Sequence, residues 1–180
     1  MIADDASRRE RTRVAAPAAS DRAAHPPFES FFHAEYTRLY AAMCGVTGSR
    51  HEAEDITQEA FVRVLERWGA VGTMDDPTGY LYRTAMNIFR SRYRRAKLAM
   101  RKAAGRTEQD NAFAAVDTRE ELIRSLRELS PRQRAAIVLT QLRGYSSEEA
   151  AQMLGTNAAA VRMLTSRART AMRKSAGGEA

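Results

Sequence analysis

Large apolar side chains are almost absent from residues 1–27 and then return with a helical period. From Phe28 the aromatics Phe28, Phe31, Phe32, Tyr36 and Tyr40 recur together with Leu39 and Met43, which predicts an amphipathic helix ending near Gly45 to Gly48. Ser49, with Glu52 three places on, has the capping-box pattern, and a second helix is expected through about Trp68 with Thr57, Phe61, Val64, Leu65 and Trp68 on its apolar face. Gly69 to Pro77 reads as a turn-rich loop carrying Gly72, Asp75 and Asp76. Pro77 then opens a third helix through about Arg95, with Leu81, Ala85 and Ile88 inward. Between Lys97 and Asp117 the only large apolar residues are Leu98, Met100 and Phe113, so a linker that lets its flanks move is placed at 97–118. Beyond it four helices are expected: Arg119 to Leu129; Pro131 to about Leu142, capped by Ser130 and stopped by Gly144; Ser147 to Leu154; and Ala158 to about Lys174. The expected fold is all-α, two small helical domains at 28–96 and 119–174 joined by a flexible linker. A disordered N-terminal tail at 1–27 and a short tail at 175–180 flank them.

Charge narrows the partner. Among 180 residues, 29 Lys and Arg oppose 22 Asp and Glu, for a formal charge of +7, which favours a polyanion such as nucleic acid and leaves an acidic membrane surface open. No run approaches the roughly 18 apolar residues of a spanning helix, and the N-terminus lacks the apolar stretch of a secretory signal, so a cytoplasmic protein without membrane insertion is expected. A lone cysteine, Cys44, cannot form an internal disulfide, and His25, His33 and His51 do not cluster with it, so no metal and no cofactor are expected.

Three faces carry candidate chemistry. Ser146 and Glu149 satisfy a capping box, Gly155 supplies a tight turn and Asn157 caps a longer helix, the outline of a helix-turn-helix. On that last helix Val161, Thr165, Ala168 and Met172 fall inward. Asn157, Arg162, Met163, Ser166, Arg167, Thr170, Arg173 and Lys174 fall outward or on the flanks, with no acid among them. Such a helix can enter a major groove with its later cations on phosphates; a solvated basic face fits the same pattern. The third helix has a second basic stripe, Arg83, Asn87, Arg90 and Arg94, with Tyr80, Tyr82, Phe89 and Tyr93 around its flanks and no acid from Leu81 to Arg106. Arginines that track phosphates beside aromatics that stack on bases suit single-stranded or melting DNA, although for Tyr82 and Phe89 core packing is the better account. The second helix differs in sign: Glu52, Asp55, Glu59 and Glu66 line one face with Ile56 and Val62 between them, which fits either a docking surface for a basic protein or a solvated face. No histidine, nucleophile or glycine-rich phosphate loop converges with these carboxylates, so an enzyme is not expected.

Glu54-Asp-Ile-Thr-Gln-Glu-Ala-Phe61, Trp68, Pro77-Thr-Gly-Tyr-Leu-Tyr-Arg-Thr-Ala-Met-Asn87 and Arg94-Arg95 resemble region 2 of the extracytoplasmic-function sigma factors of bacterial RNA polymerase. Leu129-Ser-Pro-Arg-Gln-Arg134, Gly144-Tyr-Ser-Ser-Glu-Glu-Ala-Ala-Gln-Met-Leu-Gly155, Val161-Arg162 and Arg167-Ala-Arg169 resemble the region 4 helix-turn-helix of the same family. The resemblance runs from about Phe28 to Lys174. It implies a transcription initiation factor that binds core RNA polymerase through its largest-subunit clamp helices, using Asp55, Gln58, Glu59, Val62 and Glu66. The loop from Gly69 to Asp76 with Tyr80, Arg83, Asn87, Arg90, Arg94 and Arg95 would engage the minus-ten promoter element, open it and hold an extruded base. Asn157, Arg162, Met163, Ser166, Arg167, Arg169 and Arg173 would meet the minus-thirty-five element. An anti-sigma factor that masks the protein is implied as well.

The chain departs from the family pattern at Arg162-Met163-Leu164, where Lys-Ser-Arg is usual, and at Thr165, where leucine is usual. Met86 stands where arginine is common, which thins the expected basic stripe by one charge. Two other classes of reading remain. A helix-turn-helix transcription regulator would bind duplex operator DNA unaided and leave the acidic face without a task. A nuclease would need carboxylates converging on a metal.

Overall fold

The computed structural model describes residues 27–102, 125–126 and 128–176, and every regular element among them is helical. Residues 1–26, 103–124 and 177–180, which hold nearly all of the expected tails, most of the expected linker and the start of the helix placed at Arg119, lie outside the described residues.

Helix α1 (Phe28–Thr47) follows the aromatic period and stops at Gly48, whose N–H donates to the Cys44 carbonyl. Ser49 then caps α2 (Arg50–Leu65), its Oγ accepting the Glu52 N–H at 3.3 Å. The buried stripe of α2 is Ala53, Ile56, Thr57, Ala60, Phe61 and Val64, an unbroken i, i+3, i+4 series. Two expectations are corrected by that stripe. Leu65 lies just past it and is 52% exposed, whereas Ile56, expected among the exposed residues, is fully buried. The helix also ends short of Trp68. The chain turns there into α3 (Trp68–Val71), which sets the indole 5.4 Å and 4.9 Å from the rings of Phe28 and Phe31 and takes Val71 into the core.

Asp76 Oδ1 accepts the Gly79 N–H at 2.7 Å at the start of α4 (Pro77–Lys102). This helix runs into the expected linker instead of ending near Arg95. Residues 96–102 contain neither Gly nor Pro and are rich in Ala, Lys, Arg, Leu and Met, and 96–99 are exposed, so helix propensity and not a core carries the chain onward. Its inward side is Leu81, Tyr82, Ala85, Met86, Ile88 and Phe89.

In the second half Ser130 and Gln133 close a capping box on α5 (Pro131–Ile137), which continues as a π-helical segment, Val138–Leu142, where a plain α-helix was expected. Ser146 and Glu149 close a second box on α6 (Ser147–Leu154). Gly155 turns the chain in the left-handed region (φ 58°), and Asn157 Oδ1 accepts the Ala160 N–H at 2.8 Å to cap α7 (Ala158–Ala176).

The halves do not sit apart: α1 packs on α5 and α4 on α6, and their buried residues form one hydrophobic cluster. A Cβ at Gly45 would stand 3.0 Å from Val138 Cγ2, so glycine lets α1 approach the second half closely. Polar groups cross the seam as well. Arg134 is 8% exposed and donates to the carbonyls of Val46, Thr47 and Leu129. Near by, the guanidinium of Arg143 lies 5.0 Å from the Tyr82 ring centroid and 3.9 Å from Glu35 Oε2, and the ring of Tyr145 meets Tyr82 edge-on at 5.6 Å.

Candidate docking face and nucleic-acid interfaces

The outer stripe of α2 gathers the residues expected to meet a protein partner. Asp55, Gln58, Glu59, Val62 and Glu66 share a shallow groove with Arg63 and with Arg92 of α4. Val62 is 54% exposed among these charges, so the apolar part of that expectation rests on Val62 and neighbouring Leu65, not on Ile56. The acids are less bare than their spacing suggests. Arg92 donates to Glu59 Oε2 at 2.7 Å and to Asp55 Oδ2 at 3.4 Å, and Arg63 donates to Glu59 Oε1 at 2.6 Å. Burial alone would raise the Glu59 pKa, but the hydrogen bonds and charges of Arg92 and Arg63 outweigh it and hold the carboxyl below its ordinary value. Glu52, expected on the same face, is half-buried, and desolvation raises its pKa against the pull of Arg92 and Arg134.

The basic stripe of α4 splits in two. On one side Tyr80, Thr84 and Asn87 join Arg63, Glu66 and Arg67 around a polar cleft of about 370 Å³, and Arg67 Nη1 donates to the Tyr80 hydroxyl at 3.4 Å. On the other side Arg83, Arg90 and Arg94 face the second half. Arg83 donates to Gln152 Oε1 of α6 at 3.0 Å, and the Arg90 guanidinium lies so close to Gly155 that a Cβ there would overlap it. Arg90 and Arg94 also line a groove of about 300 Å³ with Phe89, Arg132, Leu154 and Met163. Arg95 is exposed and donates to Ser91 Oγ. Tyr82 and Phe89 are 0% and 5% exposed, which decides for core packing over base stacking. Met86 is fully buried, so an arginine there would not have belonged to this stripe, and the expectation of a missing charge is corrected.

On α7 the inward and outward sets fall as expected. Val161, Thr165 and Ala168 are buried, Met172 is half-buried, and Asn157, Arg162, Met163, Ser166, Arg167, Arg169 and Arg173 are exposed. Thr165 packs with its Oγ1 3.5 Å from Thr140 Oγ1, a polar partner for its buried hydroxyl. Two of the cations are engaged within the protein: Arg162 Nη1 donates to Glu148 Oε1 at 3.1 Å and Arg169 Nη2 to Gln141 Oε1 at 2.6 Å.

Sequence reading passed over Arg63, Arg67, Thr84 and Arg92. Arg63 was legible as the i+4 partner of Glu59. Arg92 was not, because its pairing depends on how α4 crosses α2.

Residues 31–99 match Sigma-70 region 2 and residues 119–172 match Sigma-70 region 4. The ECF RNA polymerase sigma factor SigE of Mycolicibacterium smegmatis is 30% identical, over 87% of this chain and 64% of its own length. The chain belongs to the extracytoplasmic-function sigma factors. SigM of Mycobacterium tuberculosis is 29% identical to this sigma factor over 87% of the chain and 79% of that protein. The chain spans less than two thirds of the length of SigE and 45% of that of the M. tuberculosis SigG. Among solved structures, the sigma factor RpoE of Bartonella quintana, in complex with the anti-sigma factor NepR, has the same fold. Its TM-score is 0.73 at 21% identity, over 85% of this chain and 98% of that one.

Proposed function

We propose that this sigma factor binds core RNA polymerase through α2, directs it to promoter DNA and helps to open the strands, while the polymerase performs the chemistry. What carries the reading is the coexistence of three surfaces in one chain: an acidic and apolar groove on α2, a polar and cationic cleft beside α4, and an acid-free outer face on α7. A regulator that binds operators alone leaves the first two without a task.

Each surface suits its role. Asp55, Gln58, Val62 and Glu66 offer carboxylates and exposed apolar area to the clamp helices of the largest polymerase subunit. The cleft among Arg67, Tyr80, Thr84 and Asn87 holds hydrogen-bonding groups and cations where a base extruded from the minus-ten element would sit, and its contacts must offset a few kcal/mol of lost stacking. Arg83, Arg90, Arg94 and Arg95 then track the backbone. On α7, Asn157, Arg162, Met163 and Ser166 face base edges in the minus-thirty-five major groove, and Arg167, Arg169 and Arg173 hold phosphates.

Both promoter elements cannot be engaged from the packed arrangement. Their centres lie about 25 base pairs apart, roughly 85 Å of duplex at 3.4 Å per pair, whereas α4 and α6 touch through Arg83 and Gln152. The seam therefore opens when the sigma factor works, and the packed form is its resting form. A masking protein that favours the resting form completes the proposal, in line with the relative solved with NepR.

The test is transcription in vitro by purified core polymerase on fragmented genomic DNA. Discrete start sites that require the sigma factor are expected. Silence from the reconstituted enzyme, combined with tight binding of duplex fragments by the sigma factor alone, would overturn the reading in favour of a regulator.

A further inference from the structure

The docking groove contains three acids, Asp55, Glu59 and Glu66, and two arginines, Arg63 and Arg92, so its net charge is 3 − 2, one negative, not three. The two halves of that inventory are joined. Asp55, Arg92, Glu59 and Arg63 form an alternating ladder in which both oxygens of Glu59 are taken, one by each arginine. Asp55 is held through Oδ2 only, at the longer distance of 3.4 Å, with His51 Nε2 3.9 Å from the same oxygen. Val62 and Glu66 continue the same stripe one and two turns further along, both exposed.

We propose that Arg92 is a positioning residue of the docking face: from α4 it holds Asp55 and Glu59 in one arrangement, so that Glu59 serves as an internal strut and the partner meets Asp55, Val62 and Glu66. This rests on the docking role proposed for α2.

The physical argument concerns order before contact. An exposed carboxylate on a helix samples several rotamers, and freezing them on docking costs affinity that a pre-set side chain does not lose. Arg92 can set two carboxylates together because its planar fork presents separate N–H donors to each; an ammonium at the same place offers a point charge and holds one at a time. Its position adds a second effect. Arg92 belongs to the helix that carries Arg83, Asn87 and Arg90, so the ladder fixes the crossing of the polymerase-facing helix with the DNA-facing helix.

Simple electrostatics makes the opposite forecast, which renders the proposal decidable. If Arg92 only competes with a cationic partner, its removal exposes two acids and tightens binding. If it positions them, its removal loosens binding even though the face becomes more negative.

The full chain is titrated with purified core polymerase across a salt series, as the natural sequence and as Arg92→Ala, Arg92→Lys, Glu59→Gln and the Glu59→Gln/Arg92→Ala pair. Circular dichroism and urea unfolding confirm that each variant is folded. Positioning predicts that Arg92→Ala weakens binding about 10-fold while its salt dependence steepens, because the partner now faces uncompensated acids. Arg92→Lys should recover part of the loss, and the double variant should bind no more weakly than Arg92→Ala alone. Tighter or unchanged binding by Arg92→Ala overturns the proposal, as do losses that add in the double variant, since Glu59 would then touch the partner itself. Failure of the natural sequence to bind core polymerase would sink the docking role, and with it the proposal. Equal affinity of all variants would sink only the inference about Arg92.

Discussion

Arg134 reaches from α5 across the seam and donates from Nε to the Val46 carbonyl at 2.9 Å, so a cation of the second half satisfies the backbone that ends a helix of the first. Its Nη atoms serve Thr47 and Leu129 in the same way, at 3.3 and 3.1 Å. Carbonyls at a helix C-terminus carry the negative end of the backbone dipoles and have no partners within the helix, which makes them a fitting receptor for a guanidinium. Burial lowers the Arg134 pKa, partly countered by Glu52, but arginine has so strong a base that it stays charged at any physiological pH.

Replacing Arg134 by Met should therefore lower stability by about 2 kcal/mol in urea unfolding, because several carbonyls lose a charged donor while the methionine recovers only the packing of the stem. A loss below about 0.5 kcal/mol would mean that the bonds across the seam contribute nothing net.

Tyr82 gives the opposite expectation. Its side chain is fully buried, and no described residue hydrogen-bonds its hydroxyl. Tyr82→Phe removes a buried polar atom and keeps the ring against Tyr145, so it should leave the unfolding midpoint unchanged or raise stability by up to about 1 kcal/mol. A clear destabilisation would reveal a partner for that hydroxyl.

At Gly155 two effects can be separated. Gly155→Ala places a Cβ in the left-handed region and against the Arg90 guanidinium, and about 2 kcal/mol of stability should be lost. Arg90→Ala in the same chain removes the collision but not the backbone strain, so the double variant should recover part of the loss. If Arg90→Ala restores nothing, the close approach of α4 to the turn is not a source of strain.

Alkali should weaken the seam. Burial pushes the Tyr145 pKa up to about 12 and raises that of Tyr82 further, against unfolded values near 10. A group whose folded pKa is raised contributes its stability below the unfolded value and loses it as pH rises. Stability should thus fall between about pH 10 and 12, as the unfolded chain gains tyrosinate that the seam excludes. Tyrosinate absorbance followed alongside circular dichroism checks this; ionisation of every tyrosine near 10 with helicity intact would contradict it.

For promoter binding, Arg162→Ala with Arg167→Ala should weaken the holoenzyme on DNA, and the loss of the Arg167 phosphate contact should flatten the salt dependence by about one unit of slope. An unchanged slope and affinity in filter binding would remove α7 from the groove.

Much of the fold was legible in the residue pattern because the signals are local. Ser130, Ser146 and Asn157 cap helices through bonds to N–H groups three residues away, and the inward set Val161, Thr165 and Ala168 follows from helical period alone. Motif order likewise indicated the family. The misreadings have a common origin. Leu65 and Ile56 were exchanged because a helix of mixed character offers several plausible apolar faces, and only contact with α1 and α4 selects the one that is buried. The end of α4 was set too early because helix propensity needs no core to extend a chain of Lys, Arg and Ala.

By itself the sequence determined most of the helices, their caps, the sign of charge on each outer face and the family. Tertiary structure alone decided that Arg92 reaches Asp55 and Glu59, that Arg134 donates to the last carbonyls of α1, that Tyr82 and Met86 lie in the core and that Arg83 and Arg90 meet the helix-turn-helix. Each of those pairings joins residues far apart in the chain, and their distance is set by the angles at which packed helices cross, a quantity that side-chain periodicity within one helix does not contain.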